Sequence, residues 1–183
     1  MAQRIVYLVR HGQYVLDREH ARAGQLTTLG RRQARRVASR LMEYPIDRIH
    51  HSDMPRAIET AELVGARLPG AARHQTRILR EGNPGVAGKR RRARELATRE
   101  RMDGVVERYF RPCRGRDRHE LLVCHGNLIR YLLLRALAVP AGGWMRIDTV
   151  HCGLSIVRVL PSHTRVRAIN DIGHLPPRMR TAQ

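Results

Sequence analysis

The chain has 183 residues, of which 42% are apolar and 4% aromatic, with 35 Lys and Arg against 16 Asp and Glu for a formal charge of +19. That length fits a single domain spanning 1–183 with a sizeable core of its own and excludes a second globular unit beside it. No apolar stretch approaches the ~20 residues of a membrane-spanning helix, and the three cysteines, Cys113, Cys124 and Cys152, lack the paired spacing of a metal-ligand motif and read as reduced thiols.

The apolar run Ile5-Val6-Tyr7-Leu8-Val9 is short and rich in β-branched residues, so it predicts a buried strand. Arg10-His11-Gly12-Gln13 then falls in the loop at the strand's carboxyl end, where open α/β sheets place their chemistry. A histidine beside an arginine offers a nucleophilic imidazole next to a planar cationic fork that matches a phosphate in two places. From Thr28 to Glu43, Ala34, Val37, Ala38, Leu41 and Met42 share one stripe while Arg31, Arg32, Arg35, Arg36 and Arg40 take the other face, predicting a surface helix over a sheet. A second strand end follows at His51-Ser52-Asp53-Met54-Pro55-Arg56, leading into a helix from Pro55 to Leu68 that Ser52 or Asp53 is placed to cap and that Pro69-Gly70 ends. Arg56 lies near its first turn, within reach of a bound anion.

Leu79-Arg80-Glu81-Gly82 comes after a short strand pattern and holds a carboxylate. From about 83 to 118 the chain reads as an insertion opened by Asn83-Pro84-Gly85, with the basic run Lys89-Arg90-Arg91-Arg92-Ala93-Arg94 ahead of a helical pattern that includes Leu96, Val105, Val106, Tyr109 and Phe110. Leu121-Leu122-Val123-Cys124 is another apolar strand, and His125-Gly126-Asn127 repeats the strand, His-Gly, helix arrangement before an apolar helix from Leu128 to Leu137. Two alternating segments, Ser155–Leu160 and Arg165–Ile169, parted by Pro161-Ser162-His163-Thr164, predict a hairpin at the sheet edge. Strand and helix alternate before it, which gives an α/β fold: a three-layer α/β/α sandwich with a mainly parallel sheet and an antiparallel edge, its core built mainly from Leu, Val, Ile and Ala.

Taken singly, His125 reads as a core histidine, Glu81 as a turn residue and Arg56 as one surface arginine among many. Taken together, four strand-end loops deliver Arg10, His11, Arg56, Glu81 and His125 in one order, and five phosphate-competent side chains so arranged are not an accident of composition. On these motifs the sequence resembles the histidine phosphatase superfamily, the phosphoglycerate mutase-like enzymes, over nearly its whole length. Leu8 to Tyr14, His51 to Ala61, Leu79 to Gly82, His125 to Tyr131, Gly143-Trp144-Met145-Arg146 and Asp171 to Pro177 resemble in particular its branch of mitochondrial Ser/Thr protein phosphatases.

The resemblance implies a metal-independent, cofactor-free phosphatase acting through a phosphohistidine. His11 is then the nucleophile, kept neutral by surrounding cations. Glu81 is the acid and then the base. Arg10, Arg56 and His125 hold the phosphate oxygens, with Gln13 and Asn127 as further donors. A short insertion implies hydrolysis over mutase turnover, since the mutases enclose their intermediate with longer ones. Members of the mitochondrial branch carry a membrane segment and a self-association motif that are not in this sequence, so phosphoproteins, sugar phosphates and other small monoesters all stand as substrates, and a mutase stands as a further alternative. The expected location is cytoplasmic, as the first strand leaves no room before it for a leader. Trp144 is a packing anchor, at a subunit contact if the chain is a homodimer. The +19 charge leaves a nucleic-acid-binding protein as the reading from another class, weakened by arginines spread over every segment and by few aromatics for base stacking.

Overall fold

Seven consecutive buried residues, Arg4–Arg10 (β1), lie inside a six-stranded sheet, which is why this run tolerates so few polar side chains. The computed structural model describes residues 2–17, 24–85 and 93–182. Within it β1 is followed by α1 (Thr28–Leu41), β2 (Arg48–His51), α2 (Pro55–Gly65), β3 (Ala72–Gln75), α3 (Ala93–Tyr109), β4 (Arg118–Cys124), α4 (Gly126–Ala136), β5 (Leu154–Val159) and β6 (Thr164–Asp171), with 3-10 turns at Arg77–Leu79, Ala141–Arg146 and Pro177–Met179. The strand order is β3-β2-β4-β1-β5-β6. The first four strands of that order run parallel and β5 and β6 pair antiparallel, so the edge hairpin stands where the alternating pattern placed it.

Each face of the sheet buries its own apolar cluster. Ile5, Tyr7 and Val9 meet Ala34, Val37 and Leu41 of α1 and Ala57, Ala61 and Val64 of α2. Val6 and Leu8, pointing the other way by the strand period, meet Met102 and Val105 of α3 and Leu128 and Leu132 of α4. This is the three-layer α/β/α arrangement. Leu, Val, Ile and Ala dominate both clusters as expected, but Tyr7, Tyr109 and Tyr131 are among the largest fully buried side chains, so the few aromatics carry more of the core than their number suggests. Among the described residues no helix is long and apolar enough to cross a membrane.

Several local expectations need correction. The α2 N-cap is Met54, without a side-chain hydrogen bond, because Asp53 instead accepts two bonds from Arg80 at 2.7 and 2.6 Å. Ser52 reaches only the N–H of Met54, at 3.4 Å. The α2 helix ends at Gly65, three residues early, and continues to Leu68 as tight turns such as Leu68 N–H to Gly65 O. Trp144 is 5% exposed and its indole N–H donates to Gly85 O at 3.1 Å, so it is a packing anchor within this chain, as expected. Residues Lys89 to Arg92 of the basic run lie outside the described residues, while Ala93 and Arg94 begin α3.

Candidate active site

The parallel register of β1 and β4 sets Arg10 opposite Cys124, so the two His-Gly loops leave the sheet side by side. The His11 N–H donates to Cys124 O at 3.0 Å, and the His11 and His125 rings stand 5.0 Å apart, edge to face. β2 lies on the far side of β4, and its loop brings α2 and Arg56 to the same ends. The cleft thus forms where the chain, having stepped from β1 to β2, returns to insert β4 between them, which is the switch point at which α/β sheets bind ligands.

His11 is 2% exposed and its Nδ1 lies 2.8 Å from Gly12 O. A carbonyl can only accept, so Nδ1 carries the proton and Nε2 keeps its lone pair. That lone pair accepts from Arg56 Nε at 3.0 Å. Burial above all, and then His125, Arg56 and Arg10, hold the imidazole well below the usual histidine range. The neutral state therefore owes more to desolvation than to the cations from which the sequence predicted it. His125, fully buried, is held down in the same way by burial and then by Arg56 and Arg10, and neither of its ring nitrogens has a partner among the described residues.

Glu81 reaches the site from a loop beyond the 3-10 turn, and that loop is gripped by a residue the sequence did not single out. Arg101 of α3 donates through Nη1 to Ile78 O and Arg80 O, both at 2.7 Å, and through Nη2 to Glu81 O at 3.2 Å. The carboxylate accepts from the N–H of Gly82 at 3.1 Å and of Asn127 at 3.4 Å. Burial still outweighs these bonds and the charges of Arg10 and Arg56, and pushes the carboxyl above its ordinary value. A carboxyl raised in this way holds a proton to higher pH than an exposed one, which suits a general acid.

The remaining predicted residues divide between cations beside the histidines and amides that frame the loops. Arg10 is buried, and its Nη1 donates to Thr149 O at 2.6 Å. Arg56 stacks over the Tyr14 ring at 4.4 Å, which shapes its approach to His11. Gln13 uses its side-chain oxygen to accept from the Thr27 hydroxyl at 2.9 Å, and Asn127 uses its own to accept from Arg130 at 3.2 Å. Both amide oxygens are thus committed to framing the loops. Cys124 and Cys152 are buried with their thiols pushed far up, which removes a thiolate nucleophile from consideration.

Sequence reasoning missed Thr60 as well as Arg101. Thr60 accepts from Gly12 N–H at 3.1 Å and donates to Arg56 O at 2.7 Å, coupling the His11 loop to the helix that carries Arg56. Only the spacing of Thr60 four residues after Arg56 hinted at it. His151, also missed, lies with its ring 5.6 Å from that of His11.

The family model for the histidine phosphatase superfamily (branch 1) matches residues 6–99 and 94–172. The chain is 36% identical over 189 residues to the Caenorhabditis briggsae "Serine/threonine-protein phosphatase Pgam5, mitochondrial", covering 96% of this chain and 66% of that protein. It is 32% identical over 188 residues to the human protein of that name, covering 96% of this chain and 65% of the other. The chain therefore spans just under two thirds of the length of these curated relatives. Both relatives are named mitochondrial, which overturns the cytoplasmic location expected from the sequence. Among solved structures, a phosphoglycerate mutase from Plasmodium falciparum superposes with a TM-score of 0.68 at 28% identity, covering 97% of this chain and 96% of that one. With the motifs in order, the fold in place and a family model matched over most of its length, the chain belongs to the histidine phosphatase superfamily, branch 1.

Proposed function

We propose that the protein hydrolyses phosphate monoesters through a phosphohistidine on His11. The observation that carries this reading is the pairing of a neutral imidazole, its Nδ1–H held by Gly12 O and its Nε2 lone pair under Arg56, with a buried Glu81 carboxyl raised above its ordinary value. In the first step Nε2 attacks phosphorus in line and the bond from phosphorus to the leaving oxygen breaks. The Glu81 proton passes to that oxygen. Positive charge spreads over the imidazole as the P–N bond forms, and the Nδ1–H bond to Gly12 O strengthens to meet it. In the second step the Glu81 carboxylate takes a proton from water, the water oxygen attacks phosphorus, and the P–N electrons return to Nε2. Arg10, Arg56 and His125 hold the non-bridging oxygens through both loose transition states, with the remaining amide N–H groups of Gln13 and Asn127 as auxiliary donors.

The scheme needs no metal or cofactor. Hydrolysis is preferred to mutase turnover because the insertion between Glu81 and His125 is short and its one described helix, α3, packs against the Arg77–Leu79 turn and α4. As substrate we favour a phosphorylated Ser or Thr side chain, the class in the names of the two curated relatives, over a small phosphate ester. The test is turnover of p-nitrophenyl phosphate, phosphoserine and phosphothreonine peptides, and sugar phosphates, with a chelator present, by the wild type and by His11→Ala, alongside a mutase assay with 3-phosphoglycerate. Turnover that survives the chelator and disappears in His11→Ala supports the reading, and the ratio of peptide to small-ester efficiency assigns the substrate class. Turnover unchanged in His11→Ala rejects it.

A further inference from the structure

His151 lies beside His11, its Nδ1 next to the Thr181 hydroxyl and its Nε2 buried without a partner among the described residues. It is fully buried, and the backbone on either side of it brackets Arg10: Thr149 O accepts from Arg10 Nη1 at 2.6 Å, and Cys152 N–H donates to Arg10 O at 2.9 Å. The His151 ring faces that of His11 at 5.6 Å with 49° between their planes.

The proton can be placed by following hydrogen bonds from the His11 loop. Gln13 N–H donates to Gln33 Oε1 at 2.8 Å, which orients the Gln33 amide. Gln33 Nε2 then donates to Met179 O at 2.7 Å and to Thr181 Oγ1 at 2.8 Å. With one lone pair of that oxygen taken, the Thr181 hydroxyl stands 2.9 Å from His151 Nδ1 and has a proton it can donate there. With Nδ1 as the acceptor, the ring proton sits on Nε2. This N–H is buried and has no partner among the described residues. A buried donor left unsatisfied is uncommon and calls for a physical reason. Here it sits beside the His11 ring, and the charges of Arg10 and Arg56 reach it. Burial, followed by Arg10, holds the ring down to about 3, so the imidazole is neutral near pH 7.

We propose that His151 is a further phosphoryl-binding residue, its Nε2–H aimed by Thr181 and Gln33 to donate to a non-bridging oxygen of the group transferred to His11. A neutral donor adds a hydrogen bond where charge develops without adding another buried cation. In this proposal the C-terminal segment is a functional part of the site, with Thr181 setting the tautomer. The proposal rests on the phosphohistidine reading above.

Two measurements test it together. Imidazole nitrogen spectra of the wild type report the His151 tautomer before and after addition of orthovanadate, and calorimetry gives the vanadate affinity of the wild type, His151→Phe and His151→Gln. The expected results are a proton on Nε2 whose resonance moves on vanadate binding, an affinity weakened at least about ten-fold in the Phe variant, and recovery of most of that loss in the Gln variant, which keeps an N–H at similar reach. A proton found on Nδ1, or vanadate bound by the Phe variant as tightly as by the wild type, overturns the role of His151 and leaves the phosphatase reading standing. A wild type that neither binds vanadate nor turns over any phosphate ester overturns both.

Discussion

Arg56 donates through Nε to the Nε2 of His11 at 3.0 Å, so the guanidinium that would bind the phosphate covers the nucleophile's lone pair until a phosphate arrives. In the proposed reaction a phosphoryl group entering between them would exchange one hydrogen bond for charge-assisted bonds to its oxygens, with Arg56 held against the Tyr14 ring. Removing a donor of this kind typically costs about 3–4 kcal/mol of transition-state stabilisation. Arg56→Ala is therefore expected to lower kcat/KM for p-nitrophenyl phosphate by about a hundred- to a thousand-fold. Because Arg56 is also one of the charges that hold His11 down, the same variant is expected to raise the His11 titration toward its ordinary range in NMR spectra. A variant with normal turnover rules out the phosphate-binding role.

On the proposed mechanism, Glu81 is expected to set the pH dependence on the alkaline side. Its carboxyl is raised by burial, and the first chemical step needs it protonated, so kcat/KM is expected to fall with rising pH as Glu81 ionises, on an apparent pKa above the ordinary 4.5. His11 is neutral well below pH 6.5, so its protonation contributes no acid limb near that pH. Glu81→Gln removes the proton donor while preserving shape, and is expected to lower turnover of alkyl esters by about 10²–10⁴ and to abolish the alkaline limb. Esters with good leaving groups should suffer less in the first step, since they need less protonation. A profile rising through pH 8, or one unchanged in the variant, contradicts the acid role.

Much of this site can be read in the sequence because its parts follow local rules. The run Ile5 to Val9 has to be a buried strand, and whatever follows it has to lie at the sheet's end, which locates His11 without any knowledge of the rest of the chain. Thr27 caps α1 through a bond from Gly30 N–H at 2.9 Å, and the apolar stripe from Ala34 to Leu41 faces inward as its spacing dictates. What could not be read depends on approaches between distant segments. Arg101 is one arginine in a helix rich in them until its guanidinium is seen to clamp the carbonyls of residues 78 to 81 from 20 or more positions away. Asp53 looks like a helix cap until Arg80 arrives 27 residues later. His151 follows no glycine and sits in no recognisable motif, and only the fold brings it to His11.

Three buried neutral imidazoles make the protein sensitive to acid. His11, His125 and His151 all have folded-state values depressed below 6.5, so below that pH the unfolded chain binds protons that the folded chain refuses, and stability falls. The stability is fully present above pH 6.5 and is lost progressively as the pH drops from there toward about 3, the value for His151. At pH 5.5 each histidine has cost about 1.4 kcal/mol, or about 4 kcal/mol for the three, relative to pH 7.5. Glu81 acts in the opposite sense, because its raised value makes the folded state the better proton acceptor, but it is one group against three. Urea unfolding at the two pH values is expected to show a clearly lower midpoint at pH 5.5. Equal midpoints would mean that the imidazoles protonate in the folded state.

The loop carrying His11 is pressed against the first turn of α1 more closely than a side chain allows. A Cβ added to Gly30 would lie 2.0 Å from Gln13 O, and one added to Gly12 would lie 2.6 Å from Gly30 O. The contact cannot relax by a rotamer change, because the atoms that clash are backbone, and Gln13 O already accepts from Thr27 N–H at 3.0 Å while Gln13 N–H donates to Gln33. Gly30→Ala is expected to destabilise the protein by about 3 kcal/mol, the upper end for forced overpacking, and to lower kcat further by moving His11 off line with the Glu81 proton. Gly70→Ala is the matched control, since nothing lies within 4 Å of its added Cβ. Thermal unfolding of the two variants, with p-nitrophenyl phosphate turnover of the folded protein, separates a close approach that positions the nucleophile from a general intolerance of substitution. Equal stability and turnover in both would show that the Gly12 to Gly30 contact does not position His11.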